Sequence, residues 1–175
     1  MLFRSLRLGH RRLRDARITT NVFLAARAMG ACEGVLCGEE DGSVVSGVAG
    51  VSRLWGGHFS VKYEKDWKGF LRESKAAGLK VAHLTMYGTD FRAGVKKLRG
   101  GDCVVVVGAG KVPRDAYELA DANLSVSTQP HSEVAALALF LDRYFSGRQF
   151  GIKFAGALKI LPNACGKVVV CGENR

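Results

Sequence analysis

Short apolar runs separated by helix-like segments are the feature that most constrains how this chain can fold. Four of these runs are too short for helices and mostly rich in β-branched residues, at residues 35–37, 81–84, 103–107 and 168–171. Such runs are typical of strands that are buried on both faces of a parallel sheet. A further strand is predicted where Leu6, Arg7 and Leu8 alternate in polarity before Gly9.

The segments between these runs carry helical signals. An apolar face and a closing glycine predict a helix over residues 20–29, and a capping serine opens the longest helical segment, residues 132–145. Shorter helices are predicted over residues 66–77, 90–98 and 117–121. The alternation of strands with helices predicts an α/β fold. The glycine-rich stretch 38–60 yields no assignment.

The length of 175 residues predicts one domain that spans residues 1–175. No apolar run approaches the roughly 20 residues of a membrane-spanning helix, so we expect no membrane partner. No signal peptide is evident, so the cytoplasm is the expected location. The five cysteines lack the paired spacing of a zinc site or a disulfide framework. We therefore expect reduced thiols and no metal, with Cys103 and Cys171 buried beside valine runs.

Positive charge is concentrated at the start of the chain. The formal net charge is +10, and residues 1–27 contain seven arginines and a single acidic residue. Such a patch attracts a polyanion, and the planar guanidinium group suits phosphate, so nucleic acid is the favoured partner. A solubilising surface is the alternative. An organelle-targeting peptide would also be rich in arginine, but the strand pattern around Arg7 favours folded protein.

Loops at the carboxyl ends of parallel strands are where function concentrates in open α/β sheets. Three such loops are expected here, at residues 85–88, 108–113 and 127–133. The sequence GAGK at residues 108–111 is not a phosphate-binding Walker A loop, because Val105 and Val112 stand where that motif needs Gly and Ser or Thr. It could instead hold an adenosine-like ligand through its main-chain groups, or be a plain turn.

Two side chains in the third loop have candidate roles. His131 could act as a general base, because imidazole titrates near neutrality, or it could be an ordinary turn residue. Glu133 could bind a ribose hydroxyl or an ammonium group, or it could merely complement the dipole of the helix that follows.

Five segments, in order along the chain, resemble one known family. They are residues 6–11 (LRLGHR), 55–57 (WGG), 83–88 (HLTMYG), 111–113 (KVP) and 129–137 (QPHSEVAAL). The family is the archaeal tRNA cytidine-56 2′-O-methyltransferase, a member of the SPOUT class of methyltransferases. The similarity extends from about Arg4 to Lys167.

The resemblance implies a parallel-sheet SPOUT fold with a deep trefoil knot near the C-terminus, and a homodimer. It further implies that S-adenosylmethionine donates a methyl group to the ribose of the T-loop cytidine at position 56 of tRNA. The residues to which the resemblance assigns cofactor binding are Leu84, Gly108, Ala109, Gly110, Lys111, Val112, Val126, Ser127, Thr128, Gln129, Pro130, His131, Ser132 and Glu133.

Asn21 and Arg27 match the first motif of 2′-O-methylating SPOUT enzymes, in which the arginine is the candidate catalytic residue. A guanidinium group is charged at any ordinary pH, so it suits stabilisation of an oxyanion better than removal of a proton. Arg27 stands about 140° around the helix from Val22, which predicts that it lies off the apolar face. The alternative is an ordinary surface arginine.

The chain departs from the family pattern in two places, because the pattern has Glu at Gly110 and Gly-Asn at Ser127-Thr128. These departures favour, as an alternative function, a tRNA-binding relative without catalytic activity. A SPOUT enzyme that methylates an RNA base is a third hypothesis. A nucleotide hydrolase is disfavoured, because neither a phosphate loop nor an acidic metal-binding pair is evident.

Overall fold

The computed structural model describes residues 2–172, and its centre is a six-stranded parallel sheet. The strands of this sheet are β1 (Phe3–His10), β2 (Glu33–Gly38), β3 (Ser60–Tyr63), β4 (Lys80–Asp90), β5 (Cys103–Gly108) and β6 (Ala122–Ser125). Their spatial order is β3-β2-β1-β5-β4-β6, and every neighbouring pair is parallel. Two more strands, β7 (Leu158–Leu161) and β8 (Val168–Cys171), form a separate antiparallel pair.

Helices cover both faces of the six-stranded sheet. They are α1 (Arg12–Ala28), α2 (Gly42–Trp55), α3 (Trp67–Ala76), α4 (Phe91–Leu98), α5 (Arg114–Leu119) and α6 (Glu133–Phe145), followed by a 3₁₀ turn at Arg148–Gly151. In β5, Val104 and Val106 pack towards α3 and α5, while Val105 and Val107 pack towards α1, α2, α4 and α6. This alternation confirms that the valine run is buried on both faces.

The prediction of an α/β fold with a parallel sheet is confirmed, and three of the four apolar runs lie in β2, β4 and β5. Residues 168–171 were predicted to form a buried strand, and the prediction of burial is wrong. This segment is a strand, but it pairs only with β7, and Val169, Val170 and Cys171 are exposed. A β-branched run favours extended backbone wherever it lies, so its composition did not determine its position.

Helix boundaries differ from prediction at three places. Helix α1 begins at Arg12, eight residues earlier than expected, and α5 begins at Arg114 rather than at Tyr117. The segment without an assignment contains α2, whose first turn is capped by Asp41. The Asp41 carboxylate accepts hydrogen bonds from the backbone amides of Ser43 and Val44, which fixes the start of the helix despite its glycines.

Strand β4 bows away from its neighbour at the point where the loops meet. It pairs with β6 through Ala82–Leu84, separates, and pairs again at Thr89. At Gly88 a β-carbon would lie 2.6 Å from the backbone of Asn123, so the two chain segments can approach this closely only at a glycine. Residues 85–88 therefore lie outside the pairing between β4 and β6.

The five cysteines are free thiols that differ in exposure. Burial raises the pKa values of Cys37 and Cys103 to about 12, whereas Cys165 and Cys171 are exposed. Because the thiolate is the reactive form, iodoacetamide will label Cys165 and Cys171 in the native protein and will label Cys37 and Cys103 only after unfolding. Mass spectrometry of labelled peptides checks this order. Rapid native labelling of Cys103 would contradict a central position for β5.

Candidate active site

A cavity of about 630 Å³ opens at the carboxyl ends of β4, β5 and β6, where the three predicted loops meet. We call it the loop cavity. The predicted residues that line it are Leu84, Gly108, Gly110, Lys111, Val112, Val126, His131 and Glu133. Its wall is mostly apolar, and Glu133 is the carboxylate that borders it in the part of the chain that the structure describes.

The remaining residues predicted to bind cofactor do not line this cavity. Ala109 is buried on the far side of its loop, where its carbonyl accepts a hydrogen bond from Arg11. The others follow β6 in an exposed or half-exposed segment and comprise Ser127, Thr128, Gln129, Pro130 and Ser132. Within this segment the Ser127 hydroxyl accepts a hydrogen bond from the Gln129 amide at 3.1 Å.

Several lining residues were missing from the predicted set. Thr85, Met86 and Tyr87 extend from the bowed part of β4, and their unusual composition was a signal for them. Tyr117 comes from α5, and its hydroxyl lies 3.0 Å from the Thr85 hydroxyl. No sequence pattern indicated Tyr117, because its proximity depends on how α5 packs beside β4.

Arg7 lies in the core beneath the loop cavity and contacts two of the loops that form its walls. Its side chain is fully buried, and its Nη1 donates to the Gly108 carbonyl at 2.7 Å. Its Nε donates to the Thr19 hydroxyl at 3.2 Å, and its Nη2 lies 3.6 Å from a Glu133 carboxylate oxygen. Burial lowers the pKa of Arg7, and the charge of Glu133 opposes that shift. One guanidinium group therefore contacts both the second loop and the third.

The polar network continues behind Arg7. The Thr19 hydroxyl also lies 2.9 Å from His10 Nδ1, and His10 Nε2 lies 3.2 Å from the carboxylate of Asp41. Hydrogen bonds from Ser43 and from His10 lower the pKa of Asp41. Because these groups are buried and mutually bonded, they connect the cap of α2 to the floor of the loop cavity.

Arg27 lies in a second cavity, of about 800 Å³, that we call the arginine cavity. It is lined by Arg27, Trp55, residues 152–156, residues 158–160 and Gly172. The guanidinium carbon lies 4.9 Å from the centre of the Phe154 ring, and Nη2 donates to the Gly56 carbonyl. Burial lowers the pKa of Arg27, although an arginine remains charged at ordinary pH. No lining residue is shared with the loop cavity.

The expectation that Arg27 lies off the apolar face needs refinement. Helical phase does separate it from Val22, but the residue is only 8% exposed, because the C-terminal segment with Phe154 covers it. Helical periodicity describes one helix and carries no information about a segment more than 120 residues later.

The N-terminal arginines do not form one surface. Arg7 and Arg27 are buried, Arg4 pairs with Glu33, and Arg11 pairs with Asp15. The exposed members are Arg12, Arg14 and Arg17, on the first turns of α1. The surface that could meet a polyanion is therefore smaller than the arginine count indicated.

No cluster of three or more His, Cys, Asp or Glu side chains suited to a metal ion occurs among residues 2–172. Within the same residues, no helix is both long and apolar enough to cross a membrane.

The fold is that of the SpoU class of methyltransferases. The TrmH/SpoU tRNA modifying enzyme of A. aeolicus matches with a TM-score of 0.64 at 15% identity, over 85% of this chain and 76% of that one. The SpoU methyltransferase AviRb from Streptomyces viridochromogenes, in complex with the cofactor AdoMet, matches with a TM-score of 0.61 at 13% identity. That match covers 84% of this chain, which spans 58% of AviRb.

Sequence similarity defines the family within this class. The family model described as "tRNA ribose 2′-O-methyltransferase, aTrm56" matches residues 55–170. The tRNA (cytidine(56)-2′-O)-methyltransferase of Methanothermobacter thermautotrophicus is 48% identical to this chain, over 94% of the chain and 93% of its own length. The chain belongs to this family of tRNA ribose 2′-O-methyltransferases, as its motifs indicated.

Proposed function

We propose that this protein transfers a methyl group from S-adenosylmethionine to the ribose 2′-hydroxyl of cytidine 56 in the T-loop of tRNA. The observation that carries the proposal is the 48% identity, over nearly the whole of both chains, to a tRNA (cytidine(56)-2′-O)-methyltransferase. The meeting of the three loops around one cavity supports it independently of that similarity.

The loop cavity fits S-adenosylmethionine in size and chemistry. Its volume of about 630 Å³ lies in the range of small-molecule sites. Apolar walls that include Leu84 and Val107 suit the adenine ring, the backbone of residues 110–112 offers amides and carbonyls, and Glu133 suits the cationic amino group. When bound, this cofactor supplies an electrophilic methyl group on a sulfonium centre.

The proposal also gives roles to the predicted cofactor-binding residues that do not line the loop cavity. Residues 127–130 act through their backbone, because their side chains lie outside the cavity. Ala109 instead holds its loop in place, because its amide donates to the Leu8 carbonyl and its carbonyl accepts from Arg11. Backbone contacts tolerate the departures at Gly110 and at Ser127-Thr128 from the family pattern. Ser132 is the residue that precedes α6 and so orients Glu133.

Arg27 is assigned the stabilisation of negative charge on the ribose oxygen. A ribose hydroxyl is a very weak acid, so its attack needs both removal of the proton and stabilisation of the developing charge. The Arg27 guanidinium supplies fixed donors for the second task and cannot serve as a base. A phosphate oxygen of the RNA is the candidate proton acceptor. The exposed Arg12, Arg14 and Arg17 are assigned to phosphates of the tRNA.

The proposal includes a homodimer in which Arg27 completes the loop cavity of the partner subunit. The arginine cavity and the loop cavity have no lining residue in common within one chain. This separation supports a site that two chains share. The apolar side chains of Leu13 on α1 and Leu139 on α6 are exposed and suit an interface between helices.

The proposal also extends to the chain as a whole. Residues 1–175 make up one cytoplasmic SPOUT domain, in which the C-terminal segment covers Arg27 rather than folding apart. The deep trefoil knot implied by the resemblance belongs to this proposal too.

Calorimetric titration with S-adenosylmethionine, followed by a tRNA methylation assay, tests the proposal. We expect one cofactor per subunit and incorporation of one methyl group per tRNA transcript. The matched control is a transcript with 2′-deoxycytidine at position 56, which keeps the base and lacks the acceptor hydroxyl, so it will not be methylated. Methylation of that control would identify a base methyltransferase. A folded protein without cofactor affinity would be a non-catalytic tRNA-binding relative.

A further inference from the structure

A third cavity, of about 530 Å³, lies on the opposite side of the 108–113 loop from the loop cavity. We call it the basic cleft. It is lined by Leu8, Gly9, Arg11, Gly38, Lys65, Trp67 and residues 109–113. These residues lie beside the carboxyl ends of β1, β2 and β5 and at the first residue of α3, so the cleft opens at the same edge of the sheet as the loop cavity.

The charged side chains that line the basic cleft are all cationic. They are Arg11, Lys65 and Lys111, and no carboxylate lines it within residues 2–172. Arg11 is held rigidly, because its Nε and Nη2 donate to the Asp15 carboxylate and Nη2 also donates to the Ala109 carbonyl at 3.0 Å. Lys65 and Lys111 are exposed, and neither forms an ion pair with another residue that the structure describes.

An indole ring accompanies these cations. Trp67 is half-buried, packs against the core under α3 and α5, and contributes part of its surface to the cleft. Proteins bind unpaired nucleotides by combining an aromatic surface for the base with cations for the backbone. A cleft lined by three cations and one tryptophan, without a carboxylate, has this composition.

The basic cleft is directly adjacent to the proposed transfer site. Gly110, Lys111 and Val112 line both the basic cleft and the loop cavity, so a single loop separates the two. The volume of the cleft is in the range of small-molecule sites and so has room for about one nucleotide. A ligand there would lie within a nucleotide or two of a ribose that is presented to the loop cavity.

We propose that the basic cleft binds one unpaired nucleotide of the substrate RNA, next to the nucleotide that is methylated. Trp67 contacts the base, and Lys65 and Lys111 contact the phosphates on either side, while Arg11 fixes the wall formed by Ala109. This inference rests on the proposed function. It adds that the T-loop must open at a second nucleotide in order to bind.

A variant of Lys65 tests this inference through RNA binding, without any need for turnover. We expect Lys65→Glu to weaken binding of a T-arm stem-loop RNA about tenfold and to lower the salt dependence by roughly one to two phosphate contacts. The matched control is Lys96→Glu, the same charge change at an exposed position on α4, which should leave RNA binding within about twofold. Neither substitution should change the affinity for S-adenosylmethionine.

Tryptophan fluorescence gives a second measurement. Trp55→Phe leaves Trp67 as the one tryptophan of the sequence, so a base that contacts Trp67 will quench the emission of this variant when the stem-loop RNA binds. Unquenched emission in Trp55→Phe with RNA bound, or RNA affinity unchanged in Lys65→Glu, would overturn the inference. If Trp55→Phe fails to fold, Lys65→Glu still decides the question, because Lys65 is exposed.

The outcomes separate this inference from the proposed function. If the wild-type protein methylates tRNA and the variants bind RNA normally, the proposed function stands and the proposal that the basic cleft binds a nucleotide is refuted. Wild-type protein that fails to bind S-adenosylmethionine would refute the function, while RNA binding by the variants would still test the cleft. Cytidine 5′-monophosphate that binds the cleft without competition from the RNA would assign the cleft to a free nucleotide instead, and would also overturn the inference.

Discussion

Replacing Arg27 with alanine will lower the kcat of tRNA methylation by about 10²- to 10³-fold, the effect of losing one donor that stabilises an oxyanion. The affinity for S-adenosylmethionine will stay within about twofold, because Arg27 is assigned to the ribose oxygen and not to the cofactor. Steady-state kinetics and calorimetry on the same preparation measure both quantities. The matched control is Arg17→Ala, on the same helix but exposed, which should raise KM for tRNA and leave kcat nearly unchanged.

A purely structural role for Arg27 would give a different pattern. Its guanidinium group contacts Phe154 and the Gly56 carbonyl, so its loss could loosen the C-terminal segment instead of the reaction. In that case Arg27→Ala would lower the thermal midpoint and leave the kcat of the folded fraction unchanged. Arg27→Lys separates the two roles further, because it keeps the charge and loses the planar fork.

A site formed by Arg27 of one subunit and the loop cavity of its partner can be tested by mixing two variants. Mixing Arg27→Ala subunits with subunits whose loop cavity is blocked by Gly108→Trp will restore activity, because one site in the mixed dimer will have both an intact Arg27 and an intact cavity. Either variant alone will have at most about a hundredth of the wild-type activity, the loss expected for Arg27→Ala. Failure of the mixture to recover activity, with mixed dimers verified by mass spectrometry, would contradict the contribution of Arg27 to the partner's cavity.

The parallel sheet could be predicted because its signal is local. Residues 81–84 and 103–107 are uniformly apolar, which is required of any strand covered on both faces, and both are central strands. The segment 168–171 has the same composition but pairs only with β7, a strand that no sequence pattern predicted. Strand propensity is a property of the segment, whereas its place in the fold is decided by partners distant in sequence.

The site was predictable to a similar extent. Loops at strand ends were expected to meet, and Leu84, Gly108 and Glu133 do line one cavity. The positions of Arg7 and Arg27 could not be read from the sequence, because both were counted within a charged surface and both are buried. A buried arginine is identified by its partners, which here are a carbonyl 101 residues away and an aromatic ring 127 residues away.

Replacing Arg7 with methionine will weaken binding of S-adenosylmethionine by about 10- to 100-fold. The substitution keeps the apolar stem and removes the donor to the Gly108 carbonyl, and a buried acceptor without a donor costs about 1–3 kcal/mol. The loop will therefore leave its position to find another donor, which changes the wall of the cavity. Calorimetry well below the thermal midpoint measures the affinity of the folded protein.

The ion pair with Glu133 contributes through position more than through Coulomb energy. The Glu133 side chain is 36% exposed, so solvent screens most of its attraction to Arg7. What Arg7 provides is a fixed place for one carboxylate oxygen, which leaves the other free to meet the cofactor. We expect Glu133→Gln to weaken cofactor binding less in the Arg7→Met background than in the wild type. Without Arg7 the Glu133 carboxylate is displaced, so its contact with the cofactor is already weaker.

Arg4 provides the matched control on the same strand. It also pairs with a glutamate, at 2.7 Å from Glu33, but it lines neither cavity. If loss of a β1 arginine acted only by destabilising the sheet, Arg4→Met and Arg7→Met would change cofactor affinity alike. We expect Arg4→Met to leave the affinity unchanged, so an equal loss in both variants would remove Arg7 from the cofactor site. A selective loss in Arg7→Met would establish that a fully buried side chain determines the shape of the cavity above it.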